Sequence, residues 1–348
     1  MIRSRITALL IALTLVLGAT QVRAADTVKV FILAGQSNME GKAQKILLEH
    51  QKDQLTRYRK GDGWATRDDV FIKYLNRHGN LTTGYGSGDR TGSELEFGWT
   101  MGDALDEPVL LIKACWGGHS LYKLFRSPSA GMPADEVLEK ELAQEQERVK
   151  KNNEKNKKSD PLPTMKDITD VYGSSYRNML KEVKDTFDNY ETLFPALKGK
   201  KLELAGFVWF QGWNDQYNGA ETEYASNMKH FIMDVRKDLK SPKLPFVIAA
   251  MGQNGSKEAK GPMLVIREAQ LAMQEVSQFK GNVKAFRTDV LVDKAAEELY
   301  PTWRDNFEQW QKTGSDHPYH YLGSIIWYGR IGEKMAKDML ELMKTNTN

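Results

Sequence analysis

The residues best suited to chemistry sit at the ends of apolar runs. Phe31-Ile32-Leu33-Ala34-Gly35 leads straight into Gln36-Ser37-Asn38-Met39-Glu40-Gly41. A serine directly after a buried strand and beside glycine opens the next helix. Its hydroxyl then points into the crevice, and its own N–H helps hold an oxyanion. The plainer reading of Ser37 is a helix cap. The glycine spacing of a dinucleotide-binding turn and the lysine of a phosphate loop are both missing here. A second run ends in Lys113-Ala114-Cys115-Trp116-Gly117-Gly118-His119-Ser120. Paired glycines let the backbone approach a ligand closely and turn its N–H groups toward it, though a tight strand-to-loop turn uses the same residues. His119 reads as a surface or substrate-contacting histidine. Cys115 reads as core packing, having no evident activating partner. A third run ends in Gln211-Gly212-Trp213-Asn214-Asp215, with two amides in one loop. Near the C-terminus, Ser315-Asp316-His317-Pro318-Tyr319-His320 gathers an acid and two histidines.

Elements of a definite kind must carry these loops. Five apolar runs, 28–34, 108–114, 203–210, 244–250 and 283–288, are rich in β-branched or aromatic residues and nearly free of charge. Such runs predict strands buried on both faces, as in parallel sheets. Between them, Tyr176, Leu180, Val183 and Phe187 share a helical face, as do Tyr224, Met228, Phe231 and Val235. Alternating strands and helices predict a doubly wound α/β sheet, whose active site lies beyond the carboxyl ends of the strands. Residues 134–170 break the rhythm with a crowd of charges followed by Asp160-Pro161-Leu162-Pro163. They read as an insertion, part helix and part mobile loop, either a solvated face or a substrate lid. Residues 53–67 and 82–90 read as long surface loops.

The 348 residues carry a net charge of +3, so composition points to no nucleic-acid partner. The single cysteine excludes an intramolecular disulfide. Residues 1–24 open with Met1-Ile2-Arg3-Ser4-Arg5, continue through an uncharged apolar stretch and end in Val22-Arg23-Ala24. That is the layout of a signal peptide cleaved near Ala24. The apolar stretch is shorter than the ~20 residues of a membrane span. A secreted or periplasmic protein with no stable membrane insertion after cleavage is expected.

The Gly-Gln-Ser-Asn-Met string resembles the first motif of the SGNH hydrolase superfamily, specifically its sialate O-acetylesterase-like branch, where the GDSL branch carries Gly-Asp-Ser. The resemblance implies a three-layer α/β/α, flavodoxin-like fold with a central parallel sheet of about five strands, and one such domain over residues 25–348. It also implies Ser37 as nucleophile and Gly118 as an oxyanion donor, with Gly117 as the alternative. Gly212-Trp213-Asn214-Asp215 resembles the third motif, whose asparagine donates to the oxyanion. The acetylesterase branch usually reads Gln-Gly-Glu-Ser and uses its glutamine, so Gln211 and Asn214 both stand as donors. Superfamily members place Asp-x-x-His before the last helix. Here Asp316 precedes His320 by four residues, and His317 stands where the acid is usual. A histidine cannot steady an imidazolium, so Asp316 is the expected acid and His320 the base, with Asp215 or Asp289 as alternative acids or a backbone carbonyl orienting the histidine in a catalytic pair. Gln36, Gly117, Trp213, Glu94 and Arg267 are candidates for substrate contact. Glu94 and Arg267 could equally be structural ion partners.

The function the resemblance implies is removal of O-acetyl groups from carbohydrate, with an acetylated saccharide as substrate. No cofactor is expected. The six histidines show no metal-ligand spacing apart from His317 and His320. The same residues would serve a lipid or thioester hydrolase. A non-catalytic carbohydrate-binding protein could instead use Trp64, Trp99, Trp116 and Trp213 as stacking platforms.

Overall fold

The computed structural model describes residues 26–346. The expected signal peptide at 1–24 lies outside the described residues, apart from which no described helix is long and apolar enough to cross a membrane.

Seven strands form one sheet: β1 (Thr27–Gly35), β2 (Val70–Tyr74), β3 (Arg77–Asn80), β4 (Val109–Cys115), β5 (Lys201–Phe210), β6 (Phe246–Ala250) and β7 (Val283–Arg287). Their spatial order is β3-β2-β4-β1-β5-β6-β7. All neighbours are parallel except the β2–β3 edge hairpin. The five strands expected from the sequence are present within two residues of their anticipated bounds. The expectation of about five strands is corrected to seven, because the β2–β3 hairpin extends the sheet beyond β4.

β1 shows why its sequence is an unbroken apolar run. Phe31 and Leu33 point into one core, while Val28, Val30, Ile32 and Ala34 point into the other. A strand with a core on each face has no polar side to offer. One core is closed by α2 (Ser93–Ala104) and the C-terminal helix α8 (Ile325–Asn346). The other is closed by α5 (Ser174–Leu193), α6 (Tyr224–Asp238) and α7 (Gly261–Ala272). Tyr224, Met228, Phe231 and Val235 are all fully buried along α6.

The charged segment 134–170 holds a 22-residue helix, α3 (Asp135–Asn156), and a short one, α4 (Met165–Val171). Leu138 and Ile168 are buried with Tyr172, and Leu142 and Tyr122 pack around them, a third and smaller core. A capping box between Thr164 and Asp167 starts α4. Residues 53–67, expected as a surface loop, contain a 3₁₀ turn at Thr56–Tyr58 and a two-stranded ribbon of Arg59–Lys60 with Gly63–Trp64. Buried Leu55 and Tyr58 anchor them.

Candidate active site

β1 is the point where strand order reverses, with β4 on one side and β5 on the other. In such sheets the crevice beyond the carboxyl ends at this point is the ligand site. Register sharpens this. Gly35, the last residue of β1, pairs with Cys115 of β4 and with Phe210 of β5. Three strands therefore end at one level, and the loops bearing Ser37, Gly117 and Gln211 leave it together. Gly35 is obligatory there: a Cβ would lie 2.1 Å from the Phe210 carbonyl oxygen.

After Gly35 the chain turns sharply. Gln36 is extended, and Ser37 begins the one-turn helix α1 (Ser37–Glu40). Gln36 is one of the candidates for substrate contact. The residue is 1% exposed, and its side chain braces the neighbouring loop. Its Oε1 accepts the N–H groups of Gly212 and Asn214, each at 3.3 Å, while its Nε2 donates to Asn214 Oδ1 at 3.1 Å.

That donation fixes the Asn214 amide. With Oδ1 engaged, Nδ2 is the end left facing the second loop, 3.9 Å from the Cβ position of Gly118. Gly118 itself is left-handed, at φ +79°. Gly117 differs from it: its N–H donates to Glu40 Oε1 at 2.8 Å. Glu40 also receives Lys42 Nζ on Oε2 and Lys113 Nζ on its carbonyl oxygen, both at 2.7 Å. Glu40 was not anticipated from the sequence. Its only signal was a carboxylate set within the serine motif.

Gln211 is the other amide of the third loop, and it is fully engaged below the surface. Its Nε2 donates to the His119 carbonyl at 3.0 Å and to Asp215 Oδ2 at 2.5 Å. Its Oε1 accepts from Tyr224 Oη at 2.9 Å. Asp215, fully buried, also accepts the N–H groups of Leu121 and Tyr122. Burial pushes its carboxyl up to about 6 against the pull of these donors. Asp215 thus ties the second loop to the third. Asp289, the other alternative acid, is saturated by Arg287, Arg267 and Asn254.

Asp316 and His320 do meet. His320 Nδ1 lies 3.0 Å from Asp316 Oδ2, with both side chains still partly open to solvent. Burial alone would raise the Asp316 carboxyl, but the His320 ring, the His317 N–H and the Arg90 charge hold it below its usual value. The four-residue spacing works because the loop is wound tightly. Tyr321 and Leu322 both adopt left-handed backbone, at φ +52° and +59°. Leu322 O then accepts the N–H groups of Ser315 and Asp316. Left-handed bulky residues persist only where the surroundings enforce them. Here Tyr321 Oη is held by Thr288 Oγ1 and the Gly252 N–H. The loop is strapped to the serine helix. Asn38 Nδ2 donates to the Tyr319 carbonyl at 3.0 Å, and Tyr328 Oη reaches both Asn38 Oδ1 and the His320 carbonyl. His317, by contrast, has Nδ1 on Tyr300 Oη at 2.8 Å.

The remaining candidates divide. Trp213 is half-buried beside Tyr319, with ring centroids 5.9 Å apart, and Trp116 stacks on His119 at 6.0 Å. His119 Nδ1 pairs with Ser175 Oγ, and burial lowers the ring's proton affinity. Glu94 is fully buried in an ion pair with Lys113 at 3.0 Å, and Arg267 pairs with Asp289 at 3.1 Å. Both occupy ion pairs, the second of the two readings open to them. Trp99, expected as a possible sugar platform, is 4% exposed and packs edge-on to Tyr58. Trp64 donates its indole N–H to Glu49. Burial pushes the Cys115 thiol up to about 12, leaving it inert.

Residues 27–295 match the model of a family described as carbohydrate esterase, sialic acid-specific acetylesterase. The chain belongs to that family. The match ends before the loop that carries Asp316 and His320. Among solved structures, a protein from Arabidopsis thaliana is 17% identical, with a TM-score of 0.50, over 91% of this chain and 98% of its own. A carbohydrate acetylesterase from Xanthomonas citri is 14% identical, with a TM-score of 0.47, over 89% of this chain and 55% of its own. No curated protein sequence matches the chain significantly. The family is one of carbohydrate esterases, and the crevice at the ends of β1, β4 and β5 is the candidate for its active site.

Proposed function

We propose that the protein is a serine esterase that removes O-acetyl groups from carbohydrate through an acyl-enzyme. The observation that carries the reading is the Asp316–His320 pair, held at 3.0 Å in a loop tied to Asn38, the neighbour of Ser37. In this reading His320 takes the Ser37 hydroxyl proton as the oxygen attacks the acetyl carbonyl. Asp316, kept ionised, orients the ring through Nδ1 and steadies its positive charge. The oxyanion is held by the N–H groups of Ser37 and Gly118 and by Asn214 Nδ2. His320 then protonates the departing sugar oxygen. It next activates water, which releases acetate and restores Ser37. Gln211 stands outside this set because each of its polar ends is already bonded. The segment 1–24 supports action outside the cytoplasm, in the periplasm or the medium, by a domain spanning 25–348.

The half-buried rings of Trp116 and Trp213 favour a short acyl pocket. The test is kcat/KM along a series from acetyl to octanoyl nitrophenyl esters, followed by acetate release from acetylated glycans. Preference for acetyl, with acetate released from at least one glycan, supports the reading. Equal turnover of octanoyl esters with no acetate from any glycan favours a lipid esterase, and no hydrolysis at all favours a binding protein.

A further inference from the structure

Beyond the acetyl site lies a cleft that the proposed chemistry does not use. Its cavity measures about 860 Å³, within the usual range of small-molecule sites, ~300–1,000 Å³. It begins at Asn214, the amide assigned to the oxyanion, and one wall is the face of α3 bearing Val137, Lys140 and Glu141. Tyr217 stands at its rim with half its surface in water, and Val137 is 43% exposed.

The lining has a definite chemistry. Its ionic groups are Lys123 and Lys140 against Glu136, Glu141 and Glu223, two positive and three negative, so there is no positive excess. Lys123 is neutralised by Glu141, which also accepts from Tyr172 Oη, and Glu223 is paired with Arg126. An anionic sugar finds no free bidentate arginine here to receive its carboxylate. Tyrosine faces and amides remain, with an exposed ring for stacking and donors and acceptors for hydroxyls. The third small core, Leu138 with Ile168 and Tyr172, holds α3 in position against Tyr122, another lining residue.

We propose that this cleft binds the saccharide chain on the alcohol side of the scissile ester, and that the ligand is a neutral oligosaccharide. The insertion 134–170 is then the wall that makes the enzyme recognise a chain. This rests on the esterase reading above, and two kinds of measurement keep the failures apart.

Tyr217→Ala removes the rim platform, and Val137→Arg fills the cleft at an exposed helix position that tolerates arginine. Each variant is assayed on 4-nitrophenyl acetate and on acetylated xylo-, manno- and cello-tetraose. In parallel, binding of the same tetraoses without acetyl groups to Ser37→Ala protein, with and without each cleft substitution, is followed calorimetrically. Both variants are expected to lose ~2–10-fold in kcat/KM on a tetraose and a similar factor in affinity, which for Tyr217→Ala is the size of one lost ring contact. Hydrolysis of nitrophenyl acetate stays within twofold. Equal losses on both substrates, unchanged tetraose turnover and binding, or selective use of O-acetylated sialic acid or oligogalacturonate overturns the proposal. Wild-type protein without nitrophenyl acetate activity defeats the esterase reading alone, and the binding arm still judges the cleft.

Discussion

The Gln36 side-chain amide donates to Asn214 Oδ1 at 3.1 Å, joining residues 178 positions apart and leaving the Asn214 amino group aimed toward Gly118. A single donor of this kind typically accounts for ~10²–10³ in kcat. Asn214→Ala is therefore expected to lose that factor with a modest change in KM, because the contact strengthens in the transition state. Gln211→Ala should behave differently. Removing it takes one buried hydrogen bond from each of Asp215, Tyr224 Oη and the His119 carbonyl, a cost of ~1–3 kcal/mol in stability. Denaturant unfolding together with steady-state kinetics distinguishes the two. A larger kcat loss at Gln211 would move the oxyanion role to the glutamine.

Glu40 is expected to act as a positioning residue for the glycine loop, since its carboxylate receives the Gly117 N–H. Glu40→Ala should lower kcat ~10–100-fold, the usual cost of a small misplacement of catalytic groups, with little effect on KM. Glu40→Gln keeps an acceptor oxygen and should recover most of the rate. Equal losses in the two variants would point to the charge itself, and an unchanged kcat in Glu40→Ala would remove the role.

The acid assignment is separable by comparing Asp316→Asn with Asp289→Asn. Asp316 touches His320, whereas Asp289 is surrounded by Arg267, Arg287 and Asn254. Asp316→Asn should remove most activity and leave the fold intact, and Asp289→Asn should mainly lower the melting temperature. An essential Asp289 and a dispensable Asp316 would overturn the triad.

The depressed Asp316 carboxyl also sets a pH dependence of stability. A group ionised more readily in the folded state stabilises it above the ordinary carboxylate value of 3.8, and that contribution is lost as pH falls through the lower folded-state value. The melting-temperature gap between wild type and Asp316→Asn should therefore be open at pH 5–6 and close toward ~pH 2. A gap that stays constant across this range would show that ionisation of Asp316 contributes nothing to stability.

Much of this was readable in the sequence because buried parallel strands leave an apolar signature. β1, β4 and β5 could be placed from their runs, and the motifs that follow them then had to converge. The β2–β3 hairpin was not readable for a local reason. Val70–Tyr74 is short and contains Lys73, and its turn passes through Leu75 at φ +52°, a position where glycine would have announced a hairpin. At the site, residue types identified the candidates but not their orientation. Gln36 and Gln211 both read as outward-facing amides. Only the bonds they make to Asn214, Asp215 and Tyr224 turn them inward. The Gln36–Asn214 bond joins segments 178 residues apart and leaves no spacing to read. Glu40 and the Asn38–Tyr328 strap were missed for the same reason.

The central claim is that Ser37 is the nucleophile of an acetyl-transfer site. It is tested most directly by the rate of acetate release from 4-nitrophenyl acetate by wild-type protein and Ser37→Ala, both shown to be folded by circular dichroism. A loss of at least ~10³-fold in kcat is expected for Ser37→Ala at an unchanged melting temperature. Near-normal acetate release by the folded variant would contradict it.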